Sequence, residues 1–219
     1  MRKEQERLAA LCRYERACVS GGMSPVAGMD EVGRGSLAGP VLACAVVLPA
    51  QWIAEGGETL LLALQGVDDS KKLSPAKRER FCEVIREAAL GVGIGTADAE
   101  TVDVINILRA THKAMAMAMD DLSRTIQPEV VLIDGRPVPG LAVAQEAIPG
   151  GDRKSVSVAA ASIVAKVTRD QMMREYHALY PAYGFDAHKG YGTKRHMDAL
   201  REHGLCPIHR RSFCTGVMQ

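Results

Sequence analysis

Residues 41–49, VLACAVVLP, form a run without a single charged side chain. A strand this apolar can show neither face to water, so it belongs in the middle of a sheet with helices on both sides. That requirement selects an α/β architecture. Just upstream, PVAGMDE (25–31) reads as another strand, and the glycine- and proline-rich GRGSLAGP (33–40) turns the chain between the two, predicting a hairpin. Ser74-Pro75 is an N-cap with proline at the first helical position, opening PAKRERFCEVIREAAL. GVGIGTA (91–97) is a glycine-thinned third strand. Over 98–123, Ile105, Leu108, His112, Met115 and Met119 recur at helical steps and are expected to face the core. PEVVLIDG and LAVAQEAI add two short strands, and the alanine-rich 155–179 a further helix. The order implies a mixed sheet flanked by helices, followed by a basic helical end.

A length of 219 residues suits one domain with appendages. The first 25 residues look helical and peripheral. The six cysteines form no CxxC pair and are expected to be reduced, structural thiols. The N-terminus is charged throughout, unlike a signal peptide, and no 18-residue apolar run occurs, so no membrane span is expected and the chain reads as cytoplasmic. A monomer is the working expectation.

Net charge is only +1, but its distribution is uneven. Between 188 and 211, Lys189, Lys194, Arg195, Arg201, Arg210 and Arg211 outnumber Asp198 and Glu202. This is either a solvated helix face or a phosphate-binding surface. His188, His196, His203 and His209 fall in the same segment at spacings of eight, seven and six, none of them the i, i+4 spacing of a helical zinc pair.

Asp30 and Glu31 end the first strand pattern and Asp134 ends the fourth. These acids either cap turns or project from strand ends as oxygen ligands for a hard divalent cation, with His and Cys missing from those stretches. Because strand side chains alternate, Asp30 and Glu31 can share one face only if a strand end or bulge re-aims one of them.

Several long motifs, GMDEVGRGSLAGPV, DDSKKLSPAKRER, VVLIDG, GDRKSVSVAAASIVAKVTRD, YPAYGFDAHKGYGTKRH and GLCPIHRRSF, occur in order over about 26–213. Together they resemble the bacterial ribonuclease HII family. The resemblance implies a ribonuclease H-like α/β fold, with a catalytic domain over 26–180 and a C-terminal substrate-binding segment over 181–219 packed on it. It implies that Asp30, Glu31, Asp134 and Asp152 are catalytic and hold two Mg²⁺ or Mn²⁺ ions. It further implies that Gly33, Arg34 and Gly35 contact the ribonucleotide backbone and 2′-hydroxyl, and that Tyr191 stacks beside the ribose at an RNA to DNA junction. The expected substrates are RNA/DNA hybrids and duplex DNA containing single ribonucleotides, cut on the 5′ side to leave 3′-hydroxyl and 5′-phosphate ends. Lys71, within Ser70-Lys71-Lys72, is a candidate phosphate contact or part of a solvated turn, and Asp170 supports the structure or backs the metal ligands. The chain departs from the family where Lys-Gly-Asp is usual: Gly150-Gly151-Asp152 lacks the lysine, with Arg153 and Lys154 available on the other side.

Other readings fit less well. A ribonuclease HIII would carry a sizeable N-terminal domain. A dinucleotide-binding domain would need GxGxxG opening a helix, whereas GRGSLAGP leads into a strand. A non-catalytic nucleic-acid binder would have no use for the four acids.

Overall fold

The computed structural model describes residues 2–55, 64 and 73–216. Its centre is a five-stranded mixed sheet built from β1 (Val26–Val32), β2 (Val41–Val47), β3 (Gly91–Ala97), β4 (Val130–Asp134) and β5 (Ala144–Ile148), in the order β3-β2-β1-β4-β5. The first three strands pair antiparallel, while β4 and β5 extend the sheet in parallel from β1. All of β2 is buried, as its composition requires. The glycine-rich turn returns the chain directly into β2, so no helix follows it as a dinucleotide fold would require.

Helices cover both faces. In chain order these are α1 (Arg2–Leu11), α2 (Arg13–Ser20), α3 (Ala50–Glu55), α4 (Pro75–Ala88), α5 (Ala99–Ser123), α6 (Val156–Leu179), α7 (Phe185–His188), α8 (Lys194–His203) and α9 (Arg211–Cys214). The glycines of β3 have a packing reason. A Cβ on Gly93 would lie 2.1 Å from the Ala118 carbonyl oxygen, and one on Gly95 2.0 Å from that of Ala114, so α5 rests directly on the backbone of the sheet. On the opposite face α6 crosses β1 at Gly28, where a Cβ would lie 2.1 Å from the Ser157 carbonyl carbon. Leu42, Cys44 and Val46 pack beside the alanine-rich start of α6, while Met29, Val41 and Ala43 pack toward α5.

Two expectations change. The helical stripe over 98–123 is interrupted at Asn106, whose φ of 67° and ψ of 164° are not helical. Its side-chain oxygen accepts from the Leu108 and Arg109 N–H groups, so it starts a second helical stretch as an N-cap would. Met115 and Met119 stay in the core, whereas Leu108 turns outward. The N-terminal helices are not peripheral. Leu8, Leu11, Cys12 and Cys18 are buried, and the fully buried Glu15 accepts from Ser155 Oγ (2.5 Å) and the Ser157 N–H (2.9 Å) at the start of α6. Among the described residues, no helix is long and apolar enough to cross a membrane.

The segment after α6 packs around Tyr183, Phe185 and Leu200 against Met173 of α6, forming a small core joined to the turn before β2 at Ala38.

Candidate active site

The acids gather where β1 and β4, which run parallel, both end. Asp30 and Glu31 sit in unbroken register opposite Cys44 and Ala43, so no bulge re-aims either one. They point to opposite faces. Asp30 is buried on the α6 side, where Ser162 hydrogen-bonds to its carboxylate. Glu31 lies on the α5 side and accepts from Arg34 at 3.1 Å. Asp134 at the end of β4 is near enough to repel both. Its Oδ1 accepts from the Gly151 N–H at 2.7 Å.

That bond sets the fourth acid in place. Gly150 adopts a left-handed backbone and leads into a 3₁₀ turn, Gly151–Arg153, in which Asp152 is buried. Arg153 Nε lies 3.7 Å from Asp152, so positive charge reaches this acid from the C-terminal side. Lys154 is turned away, donating to the Pro149 carbonyl.

Burial raises the Asp30 pKa well above the ordinary aspartate value, and Glu31 and then Asp134 push it further in the same direction. Glu31 is also raised, chiefly by burial, against the opposing pull of Arg34. Carboxylates crowded together in a poorly solvated place call for a proton or a further cation. The donors are all oxygens, which suits Mg²⁺ or Mn²⁺. Among the described residues, no three Asp, Glu, His or Cys side chains form a ready cage for a metal. A hard divalent ion that keeps waters and shares itself with substrate phosphates needs only one or two protein carboxylates at a time, so the donor set still fits.

A groove of about 670 Å³ opens beside Glu31 and Asp134, with Arg34, His112 and Arg136 on its walls. His112, expected on the core stripe, is half-buried on this wall instead, and sequence periodicity does not show the break at Asn106 that precedes it. The loop bearing Arg136 is held by Gln145, whose amide both accepts from the Val138 N–H (2.8 Å) and donates to the Val138 carbonyl (3.0 Å).

The glycine-flanked arginine and Tyr191 belong to one rigid unit. The Gly190 carbonyl accepts from the N–H groups of Leu37 (2.8 Å) and Ala38 (3.3 Å). Arg169, fully buried, donates to Ser36 Oγ and to the carbonyls of Ala38, Pro40 and Lys189. Its guanidinium also lies 5.7 Å from the centroid of the partly exposed Tyr191 ring. Gly33 must be glycine for an internal reason, since its φ is 90° and a Cβ would fall 2.2 Å from Arg169 Nε. Gly35 faces open space, and Arg34 is exposed.

The expected phosphate contacts divide. Lys194, Arg195, Arg201 and Arg211 are exposed and Lys189 is half-buried. Arg210 is not available to phosphate: it is fully buried and donates to the carbonyls of Arg34 and Gly39. Lys71, with Ser70 and Lys72, lies outside the described residues. Asp170 pairs with Lys166 (2.6 Å) and Arg78 (3.5 Å), a structural connection between α6 and α4.

Comparison with known proteins bears on family and fold. The family model described as ribonuclease HII matches residues 27–216. The ribonucleases HII of Syntrophobacter fumaroxidans and Acetivibrio thermocellus are 52% and 46% identical to this chain, over 97% and 96% of it and 86% and 78% of their own lengths. The crystal structure of ribonuclease H2 from Pyrococcus horikoshii superposes with a TM-score of 0.72 at 26% identity, covering 88% of this chain and 96% of its own. The chain therefore belongs to the ribonuclease HII family and is a ribonuclease H, an endonuclease acting on RNA paired with DNA.

Proposed function

We propose that the protein cuts duplex DNA on the 5′ side of a single embedded ribonucleotide, as well as RNA in longer RNA/DNA hybrids, leaving 3′-hydroxyl and 5′-phosphate ends. Asp30, Glu31, Asp134 and Asp152 would hold two Mg²⁺ or Mn²⁺ ions, with Asp30 central. Such ions supply Lewis acidity at the attacking and departing oxygens of an in-line phosphodiester displacement. The protein's own groups do the positioning. Ser162 and the Glu31 N–H orient the Asp30 carboxylate. The Gly151 N–H fixes Asp134, and the groove walls present Arg34 and Arg136 to phosphate.

Cutting chemistry alone does not tell RNA from DNA, so the 2′-hydroxyl must be read separately. Gly35 leaves backbone open to a sugar, Arg34 offers a planar fork to phosphate, and Tyr191 offers a ring face to the ribose. The observation that supports the reading is the bond from the Leu37 N–H to the Gly190 carbonyl, which joins the loop carrying Tyr191 to the turn that follows Gly33-Arg34-Gly35, so the residues proposed to read the sugar are held together. Contacts from Lys194, Arg195 and Arg211 would add affinity without sequence preference. We further propose that the chain works as a monomer in the cytoplasm.

The test is a labelled DNA duplex with one ribonucleotide, incubated with Mg²⁺, Mn²⁺ or chelator. A single cut 5′ of the ribonucleotide that needs metal and is lost in Asp30→Asn and Asp134→Asn is expected. Equal cutting with chelator, or no cut at the ribonucleotide, overturns it.

A further inference from the structure

Three histidines of the basic end, His188, His196 and His209, meet beneath the Tyr191 loop. His188 and His196 stack with centroids 4.4 Å apart and planes 12° from parallel. His196 Nε2 lies 3.0 Å from His209 Nε2, and both side chains are buried. Two bare nitrogens cannot bond and two N–H groups repel, so one ring donates and the other accepts.

The outer atoms decide the direction. The Cys206 N–H points at His209 Nδ1 from 2.9 Å, nearer than the Cys206 carbonyl at 3.3 Å, and a backbone N–H can only donate, so that nitrogen accepts and carries no proton. The proton of His209 is then on Nε2, which donates to His196 Nε2. His196 keeps its own proton on Nδ1 and donates to the Tyr191 carbonyl at 3.0 Å. His188 is satisfied separately: its Nδ1 accepts from the Gly190 N–H and its Nε2 donates to the Tyr183 carbonyl. The hydrogen bonds thus run one way, from Cys206 through His209 and His196 to Tyr191. Aromatic rings pack against the imidazoles, with Phe185 edge-on to His196 (5.4 Å) and Tyr183 tilted against His209 (4.9 Å).

We propose that His196 and His209 are positioning residues for sugar recognition, their directed hydrogen-bond chain fixing the Tyr191 backbone and hence the ring that meets the ribose. This rests on the proposed role of Tyr191. The loop needs such a hold because Lys189 and Gly190 both have positive φ, 53° and 83°, and rotation there would swing Tyr191 away from the turn that carries Arg34. The Thr193 N–H shares the same carbonyl at 2.8 Å, so Tyr191 is gripped from the start of α8 as well. Burial pushes His196 and His209 down to about 4, which keeps both rings neutral at working pH.

The full-length protein is assayed with a single-ribonucleotide DNA duplex and with a long RNA/DNA hybrid, and the ratio of the two kcat/KM values is the readout. Tyr191→Ala, His196→Ala and His209→Leu should each lower that ratio, the histidine changes by about tenfold or more, since an ångström of misplacement at a reacting site is that costly. His196→Asn, whose amide can donate near the position of Nδ1, should recover most of the loss. Tyr191→Ala combined with His196→Ala should be no worse than Tyr191→Ala alone. If Tyr191→Ala lowers the ratio while the folded histidine variants leave it unchanged, this inference fails and the reading of Tyr191 stands. If Tyr191→Ala itself has no effect, both fail. Should the histidine variants not fold, imidazole ¹⁵N shifts of the unaltered protein decide: protons on His196 Nδ1 and His209 Nε2 support the chain, and the opposite tautomers overturn it.

Discussion

The Arg169 guanidinium occupies the space that any side chain at position 33 would need, with Nε 2.2 Å from where a Gly33 Cβ would stand. Because Arg169 spans the Ser36–Pro40 turn and the Lys189 carbonyl, disturbing it separates the two halves of the recognition surface. Gly33→Ala should therefore cost about 1–3 kcal/mol, as overpacking usually does, and should reduce cleavage. Gly35→Ala, with open space around it, should change stability by less than about 0.5 kcal/mol. Thermal melts of both variants, read beside cleavage of the single-ribonucleotide duplex, check the contrast.

The metal-free acids should burden the fold. The folded-state pKa values of Asp30 and Glu31 are raised, so the folded chain holds protons that the unfolded chain has released. Stability in chelator should fall as pH rises from the ordinary carboxylate range through those raised values. Asp30→Asn should weaken that fall and melt higher than the unaltered protein at neutral pH, where each 1 kcal/mol moves the midpoint by about 2–4 °C in a chain of this length. Adding Mn²⁺ should raise the melting temperature of the unaltered protein and do so far less for Asp30→Asn or Asp134→Asn. Identical melting behaviour with and without Asp30 would contradict the site.

Buried and exposed arginines of the basic end should separate in a salt titration. Arg195→Ala or Arg211→Ala should weaken duplex binding and reduce the slope of log affinity against log salt by about 1, with little change in melting. Arg210→Ala should instead destabilise by about 3 kcal/mol or more, because the Arg34 and Gly39 carbonyls lose charged donors.

Asp170 should behave unlike the metal acids. With Lys166 and Arg78 as partners, Asp170→Asn should lower stability by about 1–3 kcal/mol while leaving the Mn²⁺-induced rise in melting temperature in place. Loss of that rise would move Asp170 into the metal site.

Much of this was readable from residue order. The apolar VLACAVVLP demanded a central strand, and the acids at the ends of two strand patterns do meet in the fold. What the sequence concealed has physical causes. Charge alone points to exposure for Arg210, yet it is buried because the backbone carbonyls of Arg34 and Gly39 satisfy it. A single residue, Asn106, restarts a helix without disturbing the hydrophobic spacing around it. Spacing along the chain says nothing about His188, His196 and His209, which meet only once the chain folds back on itself. Neither a strand end nor a bulge re-aims Asp30 or Glu31: the two stay in register on opposite faces, and Asp134 on the next strand lies close to both.

Glu15 bears on the chain's minimum working length. It places a carboxylate on the N-terminus of α6, 140 residues further along, and that helix also brings Ser162 to Asp30. A chain trimmed to begin after α2 would retain every acid and every recognition residue, yet lose the anchor that seats the helix behind them. The cutting centre thus has a foundation outside itself, and the opening helices cannot be treated as a dispensable leader when the protein is shortened, fused or transplanted.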